Sequence, residues 1–297
     1  MKLSSKSVLT STLMLCMMGG ASQVQAADTL AKIKATGKIV IGHRESSDPI
    51  SYVVAGKPVG YAVDICNNVA NEIKKELKMP NLKVEYKAVT SSTRIPELLA
   101  GNIDMECGTT TNSLQRQQQV SFSTNYYATE VRMAVKSGSN IKRIGDLNGK
   151  AIVTTQGTTS DKYIKMNEKG QSLNVQNVYG KDHADSFAML ASGRAAAFVM
   201  DDNILAGLIA KSSNPKSFAI VGPVLSSEPY GIMLPKGDAK FKAVADRVVI
   251  GMWKTGQMDK LYKKWFQSPI PPKNVNLNMA PSASFKKLKA RPTDAGI

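Results

Sequence analysis

The chain has 297 residues, 42% hydrophobic and 21% charged, and 39 lysines and arginines against 23 acidic residues give it a formal charge of +16. That composition excludes a disordered or collagen-like polymer and allows one large or two ordinary domains. Three cysteines and two histidines make a zinc framework a poor expectation, so no metal and no cofactor is predicted.

In chain order, residues 1–26 come first. Lys2 and Lys6 precede an apolar run from Val8 to Met18, and Val24 and Ala26 suit a signal peptidase, so the segment reads as a secretory signal cut after Ala26. The apolar run is too short to span a bilayer, which needs about 20 residues. The bulky Leu15 before Cys16 argues against a lipidation site. The signal carries two lysines and no acidic residue, so the exported chain keeps a charge of +14. Nucleic acid is then not an expected partner. Two cysteines, Cys66 and Cys107, remain to enter an oxidising compartment and are expected to pair; the alternative is two buried thiols acting as small hydrophobes.

The exported part alternates strands and helices, which argues an α/β fold. Residues 38–42 read as a buried strand, and Ala62 to Leu77 as an amphipathic helix with Cys66 on its core face. Residues 82–88 alternate as a strand, followed by a short helix with Pro96 in its first turn and Gly101 at its end. Residues 98–107 and 189–200 look like two versions of one unit, in which a helix end, a turn and a buried strand lead to polar residues. Those polar residues are Thr109, Thr110, Thr111 and Asn112 in one, and Asp201, Asp202 and Asn203 in the other. Two α/β lobes facing each other would enclose a cleft at the carboxyl ends of their strands. A single continuous sheet is the alternative.

Residues 30–42, Gly60 to Ile65, and Gly108 to Thr111 with Arg116 resemble the periplasmic solute-binding proteins of polar amino-acid ABC importers, solute-binding protein family 3. More selective strings narrow the resemblance to the glutamate/aspartate-binding subgroup: His43 to Ser47, Thr90 and Ser91 with Arg94 to Pro96, Glu106 to Gly108, Lys181 to His183 with Asp185 to Phe187, Met200 to Asp202, and Pro269 to Asn274. The resemblance implies a two-lobed periplasmic-binding-protein fold of type II, with two α/β domains joined by two hinge crossings. Lobe one would comprise residues 27–130 and 230–297, lobe two residues 131–229. The crossings would lie near Thr129 to Arg132 and Gly222 to Leu225.

It further implies an L-glutamate or L-aspartate ligand, a membrane permease as partner, a monomer, a periplasmic location and no catalysis. Arg116, Thr109, Thr111, Thr158 and Thr159 would hold the α-carboxylate, since an arginine can grip a carboxylate through paired hydrogen bonds and a helix N-terminus favours an anion. Asp201 would accept the ammonium, with Asp202 as the alternative if the register slips by one. Arg44, Ser91, Arg94 and His183 would surround the side-chain carboxylate, in a site with surplus positive charge. Competing readings are a dehydratase-like enzyme on the same scaffold using Glu45, Glu106 or Asp201, a receptor for another polar amino acid, and a basic protein binding anionic polymer or lipid. The last draws on the lysines and arginine of residues 285–291, in a tail expected to be loosely ordered after Pro281.

Overall fold

A computed structural model describes residues 28–170 and 173–297; the expected signal and its cut after Ala26 lie outside the described residues. Two five-stranded sheets organise the chain. The first is built from β1 (Lys38–His43), β2 (Lys83–Ala88), β3 (Met105–Cys107) and β4 (Val120–Phe122). The chain then crosses on β5 (Tyr127–Lys136) into a second sheet containing β6 (Ala151–Thr155), β7 (Gln176–Gly180), β8 (Ala197–Asp201) and β9 (Phe218–Tyr230). It returns through β9 to add β10 (Met233–Pro235) to the first sheet. The orders are β2-β1-β3-β10-β4 and β7-β6-β8-β5-β9. In each sheet three strands run parallel and the strand beside them antiparallel, so the architecture is two α/β lobes rather than one sheet.

Helices α1 (Thr29–Thr36), α2 (Tyr61–Glu76), α3 (Arg94–Leu99) and α4 (Leu114–Gln117) belong with the first sheet. With the second come α5 (Thr159–Lys169), α6 (His183–Ser192) and α7 (Asp202–Lys211), and the returning chain forms α8 (Ala239–Lys254), α9 (Gln257–Phe266) and α10 (Ala283–Ala290). The apolar spacing in α2 buries Ile65, Cys66, Val69, Ala70 and Ile73. Cys66 is disulfide-bonded to Cys107 at the end of β3, with 6.2 Å between Cα atoms, as the two exported cysteines were expected to be. Gly193, at φ 81°, closes α6 in the left-handed conformation and frees the chain to enter β8.

The two crossing strands pair with each other, Thr129 opposite Glu228 and Val131 opposite Ser226. The second crossing therefore lies just beyond the expected Gly222 to Leu225. Those residues fall in a register shift between Val221 and Ser226. Gly222 takes a φ of 81° and Pro223 has no N–H to offer the ladder, so the segment bulges instead of pairing.

The expectation of a loose tail after Pro281 is overturned. Phe285 and Leu288 of α10 are buried, and the Phe285 ring lies 5.6 Å from Tyr127 of β5 and 4.5 Å from Tyr262 of α9. Beyond α10, Asn125 donates its backbone N–H to Thr293 O at 2.9 Å, Asn112 donates its amide to Asp294 O at 2.9 Å, and Leu114 N–H donates to Ile297 O at 2.8 Å. The tail is ordered because it satisfies buried polar groups of the first lobe and supplies aromatic surface. A count of lysines in the sequence does not reveal either demand. Among the described residues, no helix is long and apolar enough to cross a membrane.

Candidate functional site

The carboxyl ends of β3 and β8 and the first turns of α3, α5 and α6 converge between the lobes on a small, tightly closed cavity. Its lining is Ser91, Arg94, Thr109, Thr111, Thr158, Thr159, His183, Met200 and Asp201. Every residue expected at the site is there except Arg44 and Arg116; Met200 was not expected. The lobes are shut upon one another. Gly157 of the second lobe packs so near Ser91 that a Cβ on it would lie 2.7 Å from the Ser91 carbonyl oxygen.

One side of the cavity holds polar atoms that the protein does not satisfy. Nε and Nη1 of Arg94, Oγ of Ser91 and Nε2 of His183 are buried and have no hydrogen-bond partner among the described residues. Burial, followed by the neighbouring Arg116, lowers the Arg94 guanidinium to about 9, although Glu106 partly opposes this. Burial and then Arg44 lower the His183 imidazole to about 3, so the ring is neutral. Its Nδ1 lies 3.0 Å from Thr155 Oγ1. Desolvation penalises the imidazolium more than the neighbouring Asp182 favours it.

Across the cavity is an unsatisfied acceptor. Asp201 ends β8, and its Oδ1 has no partner while Oδ2 accepts from the Tyr230 hydroxyl. Burial, with the nearby Glu228 adding to it, pushes this carboxyl well above the ordinary aspartate range. A cation placed against Oδ1 would return it to the ionised form. Asp202, the fallback for this role, instead accepts from the Thr129 hydroxyl at 2.8 Å and from the Asn203 N–H at 2.8 Å, which ties the start of α7 to β5. Each unmade buried hydrogen bond costs about 1–3 kcal/mol. Their concentration on one small cavity marks it as built for a polar, doubly functional occupant.

The hydroxyls have mixed duties. Thr158 caps α5, accepting from Asp161 N–H at 3.1 Å and donating to Thr155 O at 2.7 Å, so its side chain is already occupied. Its hydroxyl serves as an ordinary helix cap, and the start of α5 still presents the positive end of the helix dipole to the cavity. Thr111 and Thr159 both donate to Oε2 of Glu228, each at 2.6 Å. Thr109 Oγ1 accepts from Arg44 Nη1 at 3.2 Å.

Arg44 and Arg116 stand behind the lining. Arg116 donates Nη1 to Thr111 O at 2.9 Å and Nη2 to Gly157 O at 3.2 Å, joining the lobes through two carbonyls. Arg44 donates Nε to Val89 O at 2.9 Å and Nη2 to Asp182 Oδ1 at 2.5 Å. Arg44 and Arg94 are almost completely buried, at 0% and 2% exposure, so neither is a solvated surface arginine. The expected surplus of positive charge, however, is not present by count. Arg44, Arg94 and Arg116 are faced by Asp182, Glu106, Asp201 and Glu228. What favours an anion is local: the unpaired nitrogens of Arg94 beside Ser91 and His183.

Sequence reasoning missed Asp182, Glu228, Tyr230 and Met200 as parts of the site. Asp182 lies inside a string already singled out, and its place before a helix could have drawn notice. Glu228 and Tyr230 sit on a strand with no motif, and the pairing of β9 with β5 brings them against the lining residues Thr111, Thr159 and Asp201. Among the described residues no cluster suited to a metal ion occurs.

Residues 39–268 match the family model of bacterial extracellular solute-binding proteins, family 3. The chain is 47% identical over 268 residues to the L-glutamate/L-aspartate-binding protein of Pseudomonas aeruginosa, covering 90% of this chain and 89% of that one. It is 43% identical over 295 residues to the glutamate/aspartate import solute-binding protein of Escherichia coli K12, covering 97% of each. Among solved structures, an ancestral arginine-binding protein bound to arginine superposes with a TM-score of 0.70 at 30% identity, covering 77% of this chain and 98% of that one. With its two sheets, paired crossing strands and polar interlobe cavity, the chain belongs to the bacterial extracellular solute-binding proteins of family 3.

Proposed function

We propose that the chain is an exported receptor that captures L-glutamate or L-aspartate between its lobes and hands it to an ABC permease, acting as a monomer in the periplasm. The lobes in this reading are residues 27–130 with 230–297, and residues 131–229. The observation that carries the ligand class is the division of unsatisfied groups: Arg94, Ser91 and His183 offer donors on one side, and Asp201 offers an acceptor on the other. An acidic amino acid matches it. Its ammonium would sit on Asp201 Oδ1, and its side-chain carboxylate on Arg94, Ser91 and His183. The α-carboxylate would meet Thr109, Thr111, Thr158 and Thr159, with Arg116 steadying that corner and Arg44 the opposite one. The names of the curated relatives agree with this ligand class.

Selection against glutamine follows from the same geometry. A neutral amide gives the unpaired Arg94 nitrogens no anion to bond, and losing one partner of a buried charge pair costs about 3–5 kcal/mol. Glutamate and aspartate differ by one methylene, worth only about 1–3 kcal/mol, and both remain in the proposal. Calorimetric titration with L-glutamate, L-aspartate and L-glutamine tests it. The expected result is saturable binding of one or both acidic amino acids, with a thermal shift equivalent to about 2.7 kcal/mol at a hundredfold excess over Kd. A response to neutral or cationic amino acids alone overturns the assignment.

A further inference from the structure

The Asp182 carboxylate does not line the cavity, yet it joins the lobes by an ion pair and a hydrogen bond. It precedes α6 in the second lobe. From there it receives Arg44 Nη2 at 2.5 Å and the Ser46 hydroxyl at 2.5 Å, both from the first lobe. Ser46 Oγ also accepts from the Ala184 N–H at 3.3 Å, which draws the first turn of α6 to the same point.

Arg44 is prepared for this contact within its own lobe. Its Nε is held by Val89 O and its Nη1 by Thr109 Oγ1, so the guanidinium is fixed before the second lobe arrives, with one nitrogen left to meet Asp182. A donor fork fixed in advance loses little entropy when its partner comes. The partners are 136 and 138 residues apart in sequence and on opposite sides of the two crossing strands. Any hinge opening of a few ångströms separates them. Burial opposes the charge on Asp182, but Arg44 and then His183 outweigh it and hold the carboxyl at about 2, so the latch is ionised throughout the neutral range.

We propose that Asp182 is a positioning residue for solute capture: it latches onto Arg44 and Ser46 when the cleft shuts, holds His183 and the start of α6 against the solute, and sets how slowly solute is released. The proposal rests on the binding-protein reading. A contact made only after closure leaves the encounter step untouched and acts on escape.

The test is stopped-flow binding and release of L-glutamate by the full-length mature protein, its Asp182→Asn variant and the milder Ser46→Ala variant. Small-angle scattering and thermal melts accompany it, with and without ligand. In Asp182→Asn, release is expected to be about tenfold faster or more, with the association rate within about twofold of wild type. Ser46→Ala is expected to fall between the two. Any fall in melting temperature should be larger with ligand than without it, since bound solute holds the lobes shut and the contact made. An unchanged release rate in Asp182→Asn, or a fall in melting temperature equal with and without ligand, overturns the latch. Failure of the wild type to bind L-glutamate or L-aspartate is a failure of the functional reading instead. The release comparison is then made with whichever standard amino acid most raises the wild-type melting temperature, and the same two outcomes decide it.

Discussion

Gly207 of α7 faces the backbone of Asp48 across the interlobe seam so closely that a Cβ on it would lie 2.4 Å from the Asp48 carbonyl oxygen. A glycine inside a helix ordinarily costs about 1 kcal/mol relative to alanine. Here the missing side chain lets α7 of the second lobe approach the first. Gly207→Ala should therefore separate fold stability from closure. The ligand-free protein is expected to be as stable as wild type or slightly more so, while affinity for glutamate falls at least about tenfold, because a contact well inside van der Waals range obstructs the shut form. Titration together with scattering checks this; wild-type affinity and wild-type compaction in the variant would show that the seam can yield.

Arg94→Gln removes the buried guanidinium with two unpaired nitrogens. Affinity for glutamate is expected to drop by a factor of hundreds, corresponding to about 3–5 kcal/mol, with a much smaller change for glutamine. Parallel calorimetry with both ligands measures the difference. An equal loss for both would mean that Arg94 supports the cavity wall rather than reading the second carboxylate.

The neutral His183 gives the fold a pH dependence of defined sign. Its folded value is held down to about 3 by burial and by Arg44, whereas the unfolded chain titrates near 6.5. Between these values the unfolded state carries more protons. Its contribution is therefore complete above pH 6.5 and is lost as pH falls towards 3, at up to about 1.4 kcal/mol per pH unit. Asp201, whose carboxyl is raised, works with the opposite sign: its contribution is present at low pH and lost as pH rises through its folded value. It is common to wild type and His183→Gln, so the difference in their stability isolates the histidine. Urea unfolding of ligand-free protein between pH 7 and 4 should show the wild type losing stability more steeply; identical slopes would mean that His183 is already charged in the fold.

The Cys66–Cys107 bond closes a loop with a sequence separation of 41 and ties α2 to the end of β3, the strand that leads into Thr109 and Thr111. Loop-closure entropy puts its contribution at about 4 kcal/mol. Replacing both cysteines by alanine, or reducing the bond, should lower the melting temperature substantially while a protein still folded at low temperature keeps its ligand preference. A change of a degree or less would mean that the core already fixes this loop.

Much of the architecture was legible from local pattern. The 3.6-residue spacing of Ile65, Val69 and Ile73 specified α2, and the apolar runs ending at Cys107 and Met200 placed polar residues at the carboxyl ends of buried strands. Because ligand sites in open α/β folds gather at those strand ends, the residue order pointed to the groups Thr109 to Asn112 and Asp201 to Asn203, and the family resemblance picked Thr109, Thr111 and Asp201 from them. The strings that resemble the glutamate/aspartate subgroup added Ser91, Arg94 and His183.

Other features depend on contacts between distant segments. Whether Arg44 meets a solute or Asp182 depends on a residue 138 positions away, and no periodicity in either segment encodes that meeting. The same holds for Glu228, which takes hydroxyls from both lobes, and for the tail, whose order comes from Asn112 and Asn125. Sequence by itself determined which surfaces are apolar and which strand ends are polar, since these follow from each residue's own chemistry and spacing. Tertiary structure alone decided which charges cancel and which are left unpaired, because desolvation and pairing depend on what the folded chain brings within a few ångströms.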